Sequence, residues 1–313
     1  MKRPWFAFEV TASCTRSCVF CYNCWKAPGG KPPRQLTCSE AVQLLGKLSG
    51  EASPAGITLT GGEPLLRDDL EEIASACARV FPSAALSTTG DGLTPARASR
   101  MFSAGLRHYE VALVSADRTV TNRLCGSSGE ASRRAISMLS GLGAFVTASA
   151  LLCRETAPGI RDTVLHASAL GARAVVLNPF HPSGAGSGRA DLALSRAELA
   201  AAALEAAAAS RIARVHVYFG TAVRRCEVPA SALEGCPSGP CVCGSGKWAI
   251  GPDGELRPCE QSPVGFGSLL EESFGELESC AAADAFRAEP ESCRSCGSLS
   301  DCRGGCRPER SRR

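Results

Sequence analysis

The first 180 residues of the chain alternate between short apolar runs and longer stretches with helical patterning. Short apolar runs bounded by turn-forming residues are typical of strands that are buried on both faces of a parallel sheet. They predict six strands: Phe6 to Val10, Ile57 to Thr60, Ala84 to Thr88, Tyr109 to Val114, Phe145 to Leu151 and Ala174 to Leu177.

The stretches between the strands predict helices, and two helices begin with a recognisable cap. Thr37 with Glu40, and Ser195 with Glu198, have the spacing of capping boxes, in which each side chain satisfies a backbone N–H group. The second box opens an alanine-rich helix over 192–210. Further helices are predicted near 68–80, 95–104, 130–141 and 160–170. The alternation predicts the α/β class, with six β/α units in a partial (β/α)6, TIM-like barrel.

The chain changes character after about residue 220, where glycine, proline and cysteine dominate and long helical patterns stop. Such a composition favours a small domain held by metal rather than by a large apolar core. For a chain of 313 residues we therefore expect a barrel over 1–212, a bridging region over 213–235 and a small Cys-rich domain over 236–313.

Charge and hydropathy exclude two classes of partner. A net charge of +3 is too small to indicate a nucleic-acid partner. No stretch reaches the roughly 20 apolar residues of a membrane span, and the amino terminus lacks the apolar region of a signal peptide. We therefore expect no membrane association and a cytoplasmic protein.

Three of the 18 cysteines form a compact triplet just after the first predicted strand. Cys14, Cys18 and Cys21 have the spacing C-x3-C-x2-C. Three thiolates bind three irons of a [4Fe-4S] cube and leave the fourth iron open to another ligand. Zinc is the alternative, with Cys24 as a fourth ligand. The scattered Cys38, Cys77, Cys125 and Cys153 are expected to be small buried side chains.

A second motif, Gly61-Gly62-Glu63-Pro64, follows the second predicted strand. Glycine lets a backbone approach a ligand closely, and a carboxylate accepts hydrogen bonds from an ammonium group. The triplet and this motif together resemble the radical S-adenosylmethionine (SAM) superfamily. The resemblance implies that the triplet carries the cluster, with the aromatic Phe20 beside it, and that Gly61, Gly62, Glu63 and Pro64 bind the amino group of SAM.

The same resemblance extends to the ends of later strands, which is where parallel β/α folds place their ligands. The segment 87–90 matches a third-strand motif, 115–117 a fourth-strand motif and 178–179 a sixth-strand segment. Ordinary turn chemistry at strand ends is the alternative explanation. The residues that would border the cofactor are Thr88, Thr89, Ser115, Asp117 and Asn178.

The carboxyl-terminal cysteines resemble the SPASM extension of radical SAM enzymes, which carries auxiliary [4Fe-4S] clusters. By this resemblance Cys243, Cys259 and Cys306 serve one auxiliary cluster, and either Cys236 or Cys241 is its fourth ligand. A second cluster takes Cys293, Cys296 and Cys302. The family pattern has one more cysteine beyond Cys306, so the second cluster either has an open iron or borrows Cys280. A zinc ribbon at the same residues is the alternative.

The resemblance implies reductive cleavage of SAM to a 5′-deoxyadenosyl radical, which abstracts a hydrogen atom from the substrate. Oxidation or cross-linking of a ribosomally made peptide is our first hypothesis. The second is an epimerase or dehydrogenase acting on a sugar or aminocyclitol, or a peptide epimerase, with Cys153 or Cys226 as hydrogen donor. An iron–sulfur electron carrier would have no use for Gly61 to Pro64.

The expected partners follow from this chemistry. They are a peptide or small-molecule substrate and an electron donor such as flavodoxin or ferredoxin. Because the chain starts close to its first strand, we also expect a separate protein to bind the leader of a peptide substrate.

Overall fold

A ten-stranded sheet organises residues 3–307, the part of the chain that the computed structural model describes. The strands are β1 Trp5–Thr11, β2 Gly56–Gly61, β3 Ala84–Thr88, β4 His108–Ala112, β5 Phe145–Leu152, β6 Ala174–Pro179, β7 His216–Phe219, β8 Lys247–Ile250, β9 Glu255–Arg257 and β10 Gly267–Ser268. Their order is β10-β9-β8-β1-β2-β3-β4-β5-β6-β7. Strands β1 to β7 pair in parallel, and this linear order is that of a partial barrel.

Helices follow most of the parallel strands, as the sequence predicts. They are α1 Cys38–Ala52, α2 Leu70–Val80, α3 Pro95–Ser103, α4 Arg118–Cys125, α5 Glu130–Gly141, α6 Ile160–Ala169, α7 Arg196–Ala213, α8 Ala230–Gly235, α9 Phe274–Glu278, α10 Ala281–Arg287 and α11 Leu299–Cys302. Both predicted capping boxes form, at the start of α1 and of α7. Helix α4 is an addition that the sequence patterns did not predict.

The two faces of the sheet differ because successive side chains of a strand point to opposite sides. On β1, Phe6, Phe8 and Val10 are fully buried in the core beneath the helices. Glu9 lies between them in sequence and therefore belongs to the opposite, concave face. The convex face is thus packed with apolar side chains, and the concave face carries polar ones.

The six predicted strands form, and the sheet extends beyond them at both ends. Strand β7 lies within 213–235, where a bridging region was expected, and it pairs in parallel with β6. Strand β8 pairs in parallel with β1 and continues through β9 and β10. The Cys-rich segment thus shares the barrel sheet. The domain boundaries stay a prediction, and their outer bounds, residues 1 and 313, lie outside the described residues.

None of the helices in residues 3–307 combines the length and the apolar character that crossing a bilayer requires.

Candidate iron–sulfur and cofactor site

The three amino-terminal cysteines lie on one loop that leaves the carboxyl end of β1. Cys14, Cys18 and Cys21 are all partly exposed. The Arg16 amide donates a hydrogen bond to the Cys14 sulfur at 3.5 Å. Burial raises the pKa values of Cys14 and Cys21, while backbone N–H groups and the Lys26 ammonium act in the opposite direction. Accessible thiols with amides and a cation beside them suit thiolate ligands of a cluster.

The two glycines of the second motif allow the chain to pass against this loop. Gly61 has a φ of 124°, and a Cβ there would lie 2.4 Å from the Thr11 carbonyl oxygen. A Cβ on Gly62 would lie 2.0 Å from the Ser13 carbonyl oxygen. The Gly62 amide donates to the Thr11 carbonyl oxygen at 2.8 Å. The close approach that glycine permits is therefore to the start of the cysteine loop, whereas the sequence suggested an approach to a ligand.

The Glu63 carboxylate accepts four hydrogen bonds within the protein. The Leu65 amide and the Thr88 hydroxyl donate to Oε1, at 3.0 and 2.6 Å. The amide and hydroxyl of Thr89 donate to Oε2, at 2.7 and 2.5 Å. Burial raises the pKa of Glu63, and these donors oppose it. Glu63 thus ties the end of β2 to the end of β3, and Thr88 and Thr89 bind Glu63 itself.

Two buried side chains that the sequence reasoning missed connect the loop to the barrel. The Asn23 side-chain amide donates to the Gly61 carbonyl oxygen at 3.0 Å. The Arg16 guanidinium binds both carboxylate oxygens of Asp91 at 2.8 Å and also reaches the Thr89 carbonyl oxygen. Both contacts join residues far apart in sequence, so no local pattern marks them. They bring the cysteine loop and both strand-end motifs together.

Cys125 is a third residue that the sequence did not single out. It is buried at the end of α4, and its thiol is hydrogen-bonded to that of Cys18. The Val19 amide also donates to the Leu124 carbonyl oxygen at 2.9 Å. The end of α4 therefore packs directly against the middle of the cysteine loop.

The remaining predicted cofactor residues lie at the ends of their strands. Phe20 is half-buried beside an apolar cluster, and Pro64 is buried at the start of a short turn. Ser115 is buried, and its hydroxyl accepts from the Asp117 amide. Asp117 is exposed and caps α4 by accepting from two amides. The turn chemistry considered from sequence thus accounts for the side chain of Asp117.

Three carboxyl-terminal cysteines come together in space. The Cys243 thiol is hydrogen-bonded to the thiols of Cys241 and Cys259. The Arg307 amide donates to the Cys241 thiol, so the backbone next to Cys306 reaches this site. Thiols gathered from separate segments fit the ligand set expected for an auxiliary cluster.

Cys236 lies elsewhere, among the apolar side chains of the convex core. It has no exposed surface, and burial raises the pKa of its thiol to about 12. Of the two candidates for a fourth ligand, the geometry favours Cys241, because its thiol contacts that of Cys243.

The cysteines assigned to a second auxiliary cluster occupy one short segment near the carboxyl terminus. Cys293 is half-buried, Cys296 is exposed and Cys302 is buried. Cys280 instead packs at the edge of the convex core. Within residues 3–307, no three cysteine, histidine, aspartate or glutamate side chains meet closely enough to hold a single metal ion.

The two proposed hydrogen donors lie in different surroundings. Cys153 is fully buried in an apolar cluster, where its thiol accepts from the Thr156 hydroxyl at 3.6 Å. Cys226 is exposed. A donor must reach a substrate radical, and the role of Cys153 or Cys226 as donor stays a prediction.

The concave face is polar and only partly filled. Asn178 donates to the Ser149 hydroxyl at 2.9 Å, and Ser149 is hydrogen-bonded to Glu110. At the rim, a cavity of 710 Å³ lies beside the ends of β5 and β6. Cys24 lines this cavity, and its sulfur accepts a hydrogen bond from Arg257 at 3.0 Å. The Cys24 thiol is thus hydrogen-bonded to a residue of the carboxyl-terminal region.

Comparison with known proteins matches two family models. The model of the Radical SAM superfamily matches residues 8–165. The SPASM model, described as an iron–sulfur cluster-binding domain, matches residues 241–297. These domains imply a [4Fe-4S] cluster used with SAM and auxiliary clusters, respectively.

Similar proteins are found by sequence and by structure. A PqqA peptide cyclase of Ruegeria pomeroyi is 30% identical over 316 residues, which cover 96% of this chain and 81% of the relative. A PqqA peptide cyclase of Methylocella silvestris is 29% identical over 321 residues, with 96% and 81% covered. The crystal structure of Streptococcus suis SuiB bound to the precursor peptide SuiA has a TM-score of 0.79 at 13% identity, and covers 100% of this chain and 74% of SuiB. This last likeness concerns the fold.

Proposed function

This chain belongs to the radical SAM superfamily, and from that premise we propose that it modifies a ribosomally made peptide by oxidation or by cross-linking. The observation that carries the proposal is the similarity to PqqA peptide cyclases along almost the whole chain. The presence of both a radical SAM and a SPASM match in one chain supports the same class of reaction.

Cys14, Cys18 and Cys21 would hold the cluster that binds SAM, beside the backbone of Gly61 and Gly62. When bound, the cluster and SAM supply a radical that abstracts hydrogen from an unactivated carbon. Four protein donors already occupy the Glu63 carboxylate. We therefore assign Glu63 the role of fixing the backbone of its motif, so that the amino group of SAM meets main-chain atoms.

The auxiliary site would be held by Cys241, Cys243, Cys259 and Cys306. Residues near the two sites interact across the concave face. Tyr22, which follows Cys21, lies in electrostatic range of Lys247 and of Glu260, which follows Cys259. A substrate on this face would lie between the two sites, an arrangement that suits removal of an electron after hydrogen abstraction.

The rim cavity supports a peptide as the substrate. Its 710 Å³ is within the range of about 300–1,000 Å³ that is usual for ligand pockets. It would admit a few residues of an extended chain. An external one-electron donor such as flavodoxin or ferredoxin, and a separate protein that binds the leader, complete the proposed system.

The test is anaerobic turnover of the reconstituted protein with SAM, a reductant and the short peptide encoded beside its gene. We expect 5′-deoxyadenosine formation to depend on the peptide and the peptide to lose two hydrogens. In deuterated water, a gain of one deuterium would indicate epimerisation instead. Slow deoxyadenosine formation that is indifferent to the peptide would contradict the proposal and favour a small-molecule substrate.

A further inference from the structure

The concave face of the sheet leaves open space inside the barrel. Along each strand, the side chains of the concave face alternate with core side chains of the convex face. Many of the side chains on the concave face remain partly exposed. Those that are half-buried include Ser87, Glu110, Ser149, Asn178 and Tyr218. Tyr22 keeps 37% of its surface exposed although charged groups of the interior lie within electrostatic range. Polar side chains with free surface inside a barrel indicate a chamber that can receive a ligand.

One carboxyl group on this face has no ion-pair partner among the described residues. Two ion pairs are present, one between Arg257 and Glu9 and one between Lys247 and Glu260, the latter at 2.8 Å. Of the ion pairs within residues 3–307, none involves Glu110. Lys247 and Glu260, already paired with each other, are the charged groups that Glu110 senses. Glu110 therefore has no cationic partner of its own, and burial raises the pKa of its carboxyl group, so a bound cation would favour its ionised form.

A second carboxylate on the same face has spare capacity to accept hydrogen bonds. Glu9 has no exposed surface, and its Oε1 is buried without a hydrogen-bond partner among the described residues. A buried acceptor without a donor is costly unless a ligand or water supplies one. Glu110 thus indicates a ligand that brings positive charge, whereas Glu9, whose charge Arg257 balances, indicates one that brings a hydrogen-bond donor.

The surroundings of Glu110 hold its carboxyl group in place. The Ser149 hydroxyl, which accepts from Asn178, is hydrogen-bonded to Glu110. This relay crosses β4, β5 and β6, so the carboxylate is held by three strands. The electrostatic field of Glu110 also reaches two tyrosines, Tyr22 and Tyr218. The Tyr218 hydroxyl is itself anchored by a hydrogen bond to Thr147.

We propose that the chamber binds a cationic group of the substrate, an ammonium or guanidinium, between the Glu110 carboxylate and the rings of Tyr22 and Tyr218. A carboxylate neutralises the charge, and aromatic faces attract a cation through their quadrupoles. In a peptide substrate this group is the side chain of a lysine or arginine next to the residue that reacts. The identity of the carrier as a peptide depends on the proposed function, whereas the preference for positive charge does not.

The test measures binding and needs no turnover, so its outcome is independent of the proposed function. The probes are the peptides acetyl-Gly-Lys-Gly-amide and acetyl-Gly-norleucine-Gly-amide, titrated calorimetrically into reconstituted protein with SAM. We expect the lysine peptide to bind about tenfold more tightly, which corresponds to about 1.4 kcal/mol. Glu110→Gln should reduce this preference to less than about twofold. Glu205→Gln, a change on the exposed surface of α7, is the matched control and should leave the preference intact.

Variants of Tyr218 separate the ring from the hydroxyl. Tyr218→Phe keeps the aromatic face and should keep most of the charge preference, while Tyr218→Leu should reduce it about threefold. These variants keep the proposal testable if the Glu110 variant does not fold, because each changes a different side chain of the same site. Equal losses in Tyr218→Phe and Tyr218→Leu would remove the rings from the proposal.

SAM itself carries a sulfonium and an ammonium, so it is a second source of the same charge. SAM affinity, measured by equilibrium dialysis, should be unchanged in Glu110→Gln. Loss of SAM affinity with an unchanged peptide preference would reassign Glu110 to the cofactor. Absence of any charge preference in the unmodified protein, or its survival in Glu110→Gln, would overturn the proposal.

Discussion

The two cysteine sites are built in different ways. The amino-terminal thiols of Cys14, Cys18 and Cys21 all belong to one loop, and amides and cations surround them. In the carboxyl-terminal site the Cys243 thiol is hydrogen-bonded to the thiols of Cys241 and Cys259, which come from segments that the fold brings together. The Gly244 amide, for example, donates to the Pro258 carbonyl oxygen at 3.1 Å. The first site is thus defined by local sequence and the second by tertiary structure.

The difference has a functional counterpart. A loop that offers three thiolates leaves one position of a cluster open to SAM, whereas a site with four thiolates is closed. The open site lies at the carboxyl ends of the barrel strands, next to Gly61 and Gly62. We therefore expect reactivity at the first site and electron transfer at the second.

The largest effect is expected from removing the open site. In the combined variant Cys14→Ala, Cys18→Ala and Cys21→Ala, SAM cleavage should fall to background and the iron content should drop by about four per chain. The measurements are 5′-deoxyadenosine by chromatography and iron by colorimetric assay. Cys226→Ser changes an exposed thiol and is the control. Cleavage retained in the combined variant would end the assignment of these residues.

A matched pair of variants tests how the closed site is built. Cys241→Ala should lose about four irons, because its thiol contacts that of Cys243. Cys236→Ala should keep all its iron and lose about 1 kcal/mol of unfolding free energy, since it removes only a buried sulfur. Iron analysis and chemical denaturation distinguish the two. The reverse pattern would make Cys236 the ligand.

Adding one methyl group at Gly62 tests whether the cysteine loop and the second motif must approach each other closely. Gly62→Ala places a Cβ 2.0 Å from the Ser13 carbonyl oxygen, so the loop must shift. We expect a loss of about 1–3 kcal/mol and poor loading of the first cluster.

Gly46 provides the control for that change. It lies inside α1 with open space around its Cβ position, so Gly46→Ala should stabilise the protein by up to about 1 kcal/mol. Denaturation midpoints report both variants. If Gly62→Ala were as stable as Gly46→Ala, the close approach of the two backbones would not be a constraint.

The smallest predicted effect concerns the electronic environment of the open site. As a cluster ligand Cys18 is a thiolate and can only accept, so the Cys125 thiol would then donate the hydrogen bond between them, and such bonds favour the reduced, more negative cluster. Cys125→Ala should lower the midpoint potential on the order of 20–60 mV, while Cys125→Ser should retain most of it. A redox titration followed by electron paramagnetic resonance measures this. Equal potentials in all three proteins would show that the contact has no electronic role.

The same contrast explains what the sequence could predict. Capping residues such as Thr37 and Glu40 interact within one helical turn. The apolar runs of β1 to β6 consist of neighbouring residues that are buried together, so a short stretch of sequence is enough to mark each strand. The cysteine triplet is equally local. The existence of these elements, and the caps of α1 and α7, were therefore within reach of sequence reasoning.

Long-range contacts were not within its reach. The four donors to Glu63 arise only when β2 and β3 lie side by side, and Asn23 meets Gly61 only in the folded loop. The choice between Cys236 and Cys241 likewise depends on which thiol the tertiary fold turns towards Cys243. Short strands such as β7 gave too few residues for a periodic signal.

The most direct test of one open and one closed site is the electron paramagnetic resonance spectrum of the reduced protein, recorded with and without SAM. We predict that SAM changes one cluster signal and leaves the other signals unaltered, and that the SAM-sensitive signal is missing when Cys14, Cys18 and Cys21 are replaced by alanine. A SAM-dependent change in that variant would contradict the division of roles between the two cysteine sites.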